Sequence, residues 1–191
     1  LDDAALEQLL GLLDGGQLKH LHLSNQALGP QAGQIFARWA GLEGLEFLGL
    51  ESTNFNDQGI ETLLAEGKTS ALRALLLKDS LFGPMGFTAR TGRALGQAPG
   101  LSTLRVLHIE GSTLGGEGAA ALLKNPQLSG LKTLVIRSSG LGDDGLLAIA
   151  AAKHLRCLKR LDLKHNGRVS ESTRAMLVAA AHLADTQVRL P

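Results

Sequence analysis

A solenoid, in which repeated units of similar length stack around one continuous core, is the fold class that the sequence predicts. The first leucines of successive repeats are separated by 27, 27, 32, 27 and 27 residues, and each is followed by aliphatic residues three and five places later. A period of about 20 to 50 residues with a constant internal pattern indicates an array of this kind. The repeats begin at Leu18, Leu45, Leu72, Leu104, Leu131 and Leu158.

The pattern Leu-x-x-Leu-x-Leu is the core of the leucine-rich repeat, and the chain resembles that family from about residue 4 to its end. The long period and the glycines ahead of the helices (Gly59, Gly86, Gly118 and Gly145) are similar to the ribonuclease-inhibitor-like subclass, and loosely to bacterial arrays that include effectors. The resemblance implies a right-handed α/β solenoid, a horseshoe segment with parallel strands on its concave face and helices on its convex face.

The ninth place of each repeat departs from the family pattern, which favours Asn or Cys to bond the turn backbone. A ladder of mixed polar residues is expected to be weaker, or partly mediated by water. The residues at this place are Gln26, Thr53, Ser80, Ser112, Ser139 and Asn166.

The domain prediction is a single unit over residues 1–191, because a solenoid of this length has one continuous core. A half repeat covers 1–17, the six repeats follow, and a partial strand covers 187–191. The chain starts at Leu1 rather than Met, so we expect that a leader or a further domain could precede it. The end at 187–191 has no separate capping unit, which predicts that the natural protein continues beyond Pro191 or that these residues themselves form a thin cap. Self-association through this open end is a further interpretation.

Helix boundaries in the first repeats follow from apolar spacing. Residues 4–13 place leucines at helical intervals, with Asp2 and Asp3 ahead of them as cap and dipole partners, and residues 14–16 are predicted to end that helix. The helix predicted for repeat one carries Trp39 on the convex side. Trp39 is interpreted as a filler between repeats rather than as a ligand platform.

Repeat three contains an insertion of five residues within the stretch 82–95. Gly92 is expected to weaken any helix there, which predicts a bulge on the convex or rim side that ends before Pro99. The insertion is interpreted either as a tolerated loop or as a second contact site that carries Arg90 and Arg93.

The sequences of repeats five and six each predict a helix. Asp143 and Asp144 are predicted to cap a helix over residues 146–152, which explains the pair without catalysis. An apolar helix is predicted over residues 175–183, and a seventh strand is predicted from Gln187.

Composition limits the classes of partner and compartment. The chain has 19 basic and 18 acidic residues and a net charge of +1, so no global field favours nucleic acid or an anionic membrane. Cys157 is alone, which excludes an internal disulfide. Without disulfide caps, the resemblance favours the cytoplasm or delivery into a host cytosol over an extracellular location. No apolar run of membrane length and no leader pattern are present.

Catalytic and metal chemistry are not predicted. His20 and His22 share a face of the first strand, but His108 lies three strands, or about 14 Å, away, and no Cys, Asp or Glu is predicted beside the pair. The glycine-rich stretch 111–118 lacks the Lys-Ser/Thr ending of a phosphate loop. No place in the repeat brings a nucleophile to a base. The chain is therefore predicted to hold no cofactor and not to be an enzyme.

The third, fifth and seventh places of the repeat are predicted to face solvent on the concave sheet, because the fourth and sixth places carry the core leucines. These columns combine an apolar centre with a charged rim, the composition of a protein-binding site. The candidate partner-binding residues are Phe47, Glu51, Leu76, Lys78, Val106, His108, Glu110, Val135, Arg137, Arg160 and Asp162.

Two functional hypotheses follow from this surface. The first is a non-enzymatic scaffold that binds a protein or peptide on its concave sheet. The alternative is the substrate-recognition or sensor arm of a larger multi-domain enzyme or effector, for example a ubiquitin-ligase-like or nucleotide-switch protein, whose catalytic part lies outside this chain. Purely structural self-association is a third interpretation.

Overall fold

The computed structural model describes residues 1–13, 16–79 and 86–191, and these form an α/β solenoid. Over these residues, seven parallel strands form one sheet in which each strand pairs with the next in sequence. The strands are β1 His20–Ser24, β2 Phe47–Glu51, β3 Ala74–Lys78, β4 Val106–Glu110, β5 Thr133–Arg137, β6 Arg160–Asp162 and β7 Gln187–Arg189. The predicted fold class is confirmed, including the seventh strand at Gln187.

A helix precedes the first strand, and one helix connects each strand to the next. The α-helices are α1 Asp3–Leu12, α2 Ala32–Arg38, α3 Asp57–Glu66, α4 Ala89–Gln97, α5 Gly115–Leu122, α6 Gly142–Ala151 and α7 Glu171–Val178. Short 3-10 helices span Ala40–Gly44, Pro126–Gly130 and Ala181–Leu183. None of the helices in the described ranges is long and apolar enough to cross a membrane.

The strands pair in the register that the leucine pattern predicts. Leu75 and Leu77 of β3, for example, pair with Leu107 and Ile109 of β4, and all four side chains are buried. Because side chains alternate along a strand, the third, fifth and seventh places of the repeat lie on the opposite face of the sheet. We call this side, which carries those three columns, the open face.

Glycine at one interior helix position has a packing role. Helix α4 runs through Gly92, so the bulge predicted over this part of the insertion is wrong, while the weakening effect of Gly92 on a helix stays a prediction. A Cβ atom at Gly92 would lie 2.2 Å from the carbonyl oxygen of Gly118 in α5, so only glycine allows the two helices to approach so closely. The bulge predicted within the insertion falls partly on residues 80–85, which lie outside the described residues.

Two helix predictions need correction. The helix predicted over 175–183 is divided into α7 and a separate 3-10 helix, and α7 starts early because the Ser170 hydroxyl accepts a hydrogen bond from the Thr173 amide. Helix α6 begins at Gly142, so Asp143 and Asp144 lie inside its first turn rather than before it. The predicted end of the first helix at residues 14–16 lies mostly outside the described residues.

Trp39 lies at the C-terminal end of α2 and is partly buried against the core. Its indole ring covers Gly41 so closely that a Cβ atom there would come within 2.1 Å of it. Trp39 thus packs within its own repeat, and its role as a filler between repeats stays a prediction.

Aspartates in the first turn of three helices bond to the next repeat, a contact that the repeat pattern alone does not predict. The Asp57 carboxylate accepts hydrogen bonds from the Thr88 and Thr91 amides at 2.9 and 3.0 Å, and from both hydroxyls at 2.6 Å. Burial acts to raise the pKa of Asp57, but these hydrogen bonds outweigh it and the pKa is lowered. Asp3 accepts from the Gly29 amide and Asp143 from the Ser170 amide. These aspartates hold neighbouring repeats together.

The ninth place of the repeat carries a buried polar network in its last copy. Asn166 donates to the Ile136 and Leu163 carbonyls at 2.6 and 2.8 Å, and accepts from the Ser139 and Leu141 amides at 2.9 and 3.4 Å. The Ser139 hydroxyl, in contrast, donates only within its own turn, to the Arg137 carbonyl. The asparagine thus joins two repeats, whereas the shorter serine side chain joins none.

Candidate functional site: the open face of the sheet

The centre of the open face is apolar. Phe47, Leu76 and Val106 lie on the adjacent strands β2, β3 and β4, and each is partly exposed. Val135, also predicted to contact a partner, is only 5% exposed and lies in register between His108 and Asp162. The part of the apolar centre that a partner can reach is therefore narrower than predicted and lies over β2 to β4.

Two histidines of β1 extend this centre toward the N-terminal end. The rings of His20 and His22 lie edge-to-face against Phe47, with centroid separations of 5.9 and 6.1 Å. Gly49 makes room for them, because a Cβ atom there would be 2.7 Å from the His22 ring. From the sequence, these histidines are candidates only for metal ligands. Gly49, at the fifth place of repeat two, was the signal in the sequence that the histidines could join the apolar centre.

Glu51 lies between His22 and Lys78 at the edge of the open face. Its carboxylate is 2.5 Å from the Lys78 ammonium and 3.4 Å from His22 Nε2, and the hydrogen bond from Lys78 lowers the pKa of Glu51. The prediction that no acidic residue lies beside the histidine pair was wrong. Glu51, at the seventh place of repeat two, reaches His22, at the fifth place of repeat one. Among the described residues, however, no cluster of three or more potential metal ligands occurs.

Farther along the same edge, Glu110 contacts His108 and lies between strands that carry residues of opposite charge. His108 Nε2 lies 2.7 Å from the Glu110 carboxylate, and burial lowers the pKa of His108 despite that contact, which favours the neutral ring at pH 7. Glu110 is in register with Lys78 on one side and with Arg137 on the other. Opposite charges in register neutralise one another, so this border presents little net charge.

Asp162 is completely buried, so it cannot contact a partner directly as predicted. Arg137 donates to both of its carboxylate oxygens, at 3.0 and 2.6 Å. Arg189 and Arg160 lie farther from it, at 3.5 and 3.7 Å. The hydrogen bonds from Arg137 lower the pKa of Asp162 to about 2. Asp162 thus positions three arginines at the C-terminal part of the open face.

Replacement of Asp162 by Asn is expected to make stability less sensitive to acid. Because the pKa of Asp162 in the folded protein is below its unfolded value near 4, its stabilisation is complete above about pH 4 and is lost as the pH falls toward 2. The full contribution is roughly 2 kcal/mol, of which about 1 kcal/mol is lost by about pH 3. Urea unfolding from about pH 6 to about pH 3 measures the difference.

Asp144→Asn is the matched control for this experiment, because it removes the same charge from an exposed position of α6. It is expected to follow the wild-type pH dependence. If the stability of Asp162→Asn falls as steeply in acid as that of the wild type, the assignment of this stabilisation to the ionised Asp162 is wrong.

Arg90 and Arg93, predicted as a second contact site, both lie on α4. Arg90 pairs with Glu61 of α3, and Arg93 pairs with Glu117 of α5, each at 2.6 Å. The two arginines therefore connect α4 to the helices on either side of it. A role in partner contact stays a prediction for them.

The family comparison supports the repeat assignment. The family model for the leucine-rich repeat matches residues 100–123 and 129–150, which are repeats four and five. No curated protein matches the chain. A crystal structure of a protein from Bacteroides fragilis is similar, with a sequence identity of 16% and a TM-score of 0.48. The similarity covers 79% of this chain and 43% of that chain, so the chain spans less than half the length of that protein.

The matched repeats and the parallel sheet of the described residues together identify leucine-rich repeats in an α/β solenoid. No catalytic family is indicated by the match. The ribonuclease-inhibitor-like subclass stays a prediction.

Proposed function

We propose that the chain is a recognition scaffold without enzymatic activity, and that its open face binds a protein or a peptide. The observation that carries the proposal is the adjacency of Phe47, Leu76 and Val106 on three consecutive strands, all partly exposed. Each of these side chains keeps part of its apolar surface in water, and a partner that covered it would add roughly 25 cal/mol for each Å² removed from water. An apolar centre inside a hydrated charged border is typical of protein contact sites.

The border supports a polypeptide rather than a phosphate chain as the partner. Glu51 and Glu110 alternate with Lys78 and Arg137 along the seventh place of the repeat. A phosphate backbone would meet a carboxylate on every second strand, which opposes binding. A protein surface can match alternating charges at its own border while burying apolar groups at the centre.

The variant Leu76→Asp with Val106→Asp tests the proposal. A partner is first captured on the immobilised wild-type chain, identified by mass spectrometry and purified. Two charges in the desolvated centre are expected to weaken its binding about 100-fold or more, which calorimetric titration measures.

The control makes the same two changes elsewhere on the surface. Leu12 of α1 and Val178 of α7 are 85% and 62% exposed, and their replacement by Asp is expected to leave binding unchanged. Circular dichroism verifies that both variants fold. Wild-type affinity in the Leu76→Asp, Val106→Asp variant would reject the open face as the binding site.

The alternative function uses the same surface within a longer protein. As the recognition or sensor arm of a larger enzyme or effector, the open face would still bind a polypeptide, and the catalytic part would be encoded next to this chain. The sequence of the complete gene distinguishes the two. We also propose the cytoplasm or a host cytosol as the compartment, which the lone unpaired Cys157 supports.

A further inference from the structure

We infer that the C-terminal part of the open face docks an acidic segment of a polypeptide, an inference that rests on the open-face function proposed above. The open-face columns on and beside β5 to β7 carry four cations and one carboxylate. The cations are Arg137, Arg160, Lys164 and Arg189, and the carboxylate is Asp162. On β1 to β4, by contrast, the same columns carry the acidic residues Glu51 and Glu110 and the single lysine Lys78. The open face is therefore strongly polarised.

The carboxylate of Asp162 is largely satisfied by Arg137. Both oxygens accept from that guanidinium, and one also accepts from the Lys164 amide at 3.4 Å. Arg189 and Arg160 approach the other oxygen only to 3.5 and 3.7 Å, beyond the range of about 2.7 to 2.9 Å of a strong charge-assisted hydrogen bond. The inner carboxylate therefore holds these two arginines in place without using most of their donors.

Arg160 and Arg189 are open to a ligand. Their side chains are 46% and 50% exposed, and Asp162 is their sole ion-pair partner within the described part of the chain. A guanidinium has five N–H donors in a planar fork that fits a carboxylate. Because both guanidinium groups approach the same oxygen of Asp162, they lie near each other, and an incoming carboxylate would offset the repulsion between them.

The apolar centre indicates that the anionic ligand is a polypeptide. Arg160 lies on β6 and Leu76 lies on β3, three strands away. The distance between these strands is about 14 Å, which about four residues of an extended peptide would span. One extended segment crossing the sheet could place an acidic side chain at the arginines and an apolar side chain against Leu76 and Val106. The residues in register with Arg160 are Thr133 and then Val106, so a segment that leaves the arginines along this row reaches the apolar centre directly.

The test uses fluorescein-labelled probes and fluorescence anisotropy at low ionic strength, where exposed charges are least screened. The probes are a peptide of about six glutamates, a matched peptide of glutamines and an oligouridylate of about the same charge. The glutamate peptide is expected to bind the wild-type chain, and Arg160→Glu with Arg189→Glu is expected to raise its dissociation constant about tenfold or more. The glutamine peptide is not expected to bind.

Two further variants make the result specific. Arg160→Gln with Arg189→Gln removes the charges conservatively and is expected to weaken binding in the same direction but less. Lys124→Glu with Lys153→Glu causes the same change of net charge as the arginine reversal, at exposed positions that follow α5 and α6. This control is expected to change the dissociation constant by less than about twofold, because the sites are screened from the open face.

Three results would overturn the inference: no binding of the glutamate peptide to the wild type, equal weakening by the lysine control, or tighter binding of the oligouridylate through the same arginines. Capture of the purified partner by the two double variants shows whether the acidic-segment inference alone fails or the proposed function of the open face fails as well. A partner lost by Leu76→Asp with Val106→Asp but retained by Arg160→Gln with Arg189→Gln rejects the acidic segment alone. A partner retained by both variants rejects the open face altogether.

Discussion

Replacement of Asn166 by Ala is expected to lower the free energy of unfolding by about 3 to 4 kcal/mol, because four backbone groups lose their partner in a buried site. The Ile136 and Leu163 carbonyls lose a donor, and the Ser139 and Leu141 amides lose an acceptor. Each buried group left without a partner costs about 1 to 3 kcal/mol. The four costs add up to about 4 to 12 kcal/mol. The longer contact to Leu141 and partial access of water keep the expected loss near the lower end of this range.

Urea unfolding followed by circular dichroism measures the loss. Asn54 provides the matched control, because it is exposed and its replacement by Ala is expected to change the free energy of unfolding by less than about 0.5 kcal/mol. A loss of less than about 1 kcal/mol for Asn166→Ala would show that the network between repeats five and six contributes little to stability.

The sheet could be predicted from the sequence because its register depends on a local pattern. Leucines three and five places after each repeat start must face one way along a strand, so a fixed period places Leu75 beside Leu107 without knowledge of the rest of the fold. The same alternation correctly assigns Phe47, Leu76 and Val106 to the open face. These predictions required only the period of the repeat and the geometry of a strand.

The pairing of side chains on that face could not be predicted in the same way. Strand alternation assigns Asp162 to the open face but does not indicate that Arg137, one strand earlier, is long enough to reach and cover it. The exposure of Val135 also depends on its neighbours His108 and Asp162, which the period does not describe. The bulge predicted around Gly92 was wrong for a related reason, since helix propensity does not include the distance to the neighbouring helix.

The contacts between repeats determine how far the solenoid behaves as one cooperative unit. In a linear array each repeat contacts only its neighbours, so stability depends on the interfaces between them. Asn56 already caps the N-terminus of α3 by accepting from the Gly59 amide, which leaves Asp57 free to bond to the start of α4. Asp57 therefore acts at the interface between repeats rather than within its own helix.

Replacement of Asp57 by Ala is expected to lower the free energy of unfolding by about 3 kcal/mol and to loosen the start of α4. The Thr88 and Thr91 amides both lose a charged acceptor, and a hydrogen bond to a charged group contributes about 1.5 to 3 kcal/mol. Thr91 is buried, so water cannot replace its partner, whereas Thr88 is partly exposed and recovers some of the loss. Urea unfolding measures the total, and hydrogen exchange at the Thr91 amide reports the local loosening.

Asp144 separates this interface effect from the effect of a carboxylate in the first turn of a helix. Asp144 also lies in a first turn, that of α6, but is exposed, so Asp144→Ala is expected to cost less than about 0.5 kcal/mol. Asp57→Asn keeps one acceptor oxygen and should fall between the two. Equal destabilisation by Asp57→Ala and Asp144→Ala, with unchanged hydrogen exchange at the Thr91 amide, would confine the contribution of Asp57 to its own helix. The coupling of repeats two and three would then come from apolar packing.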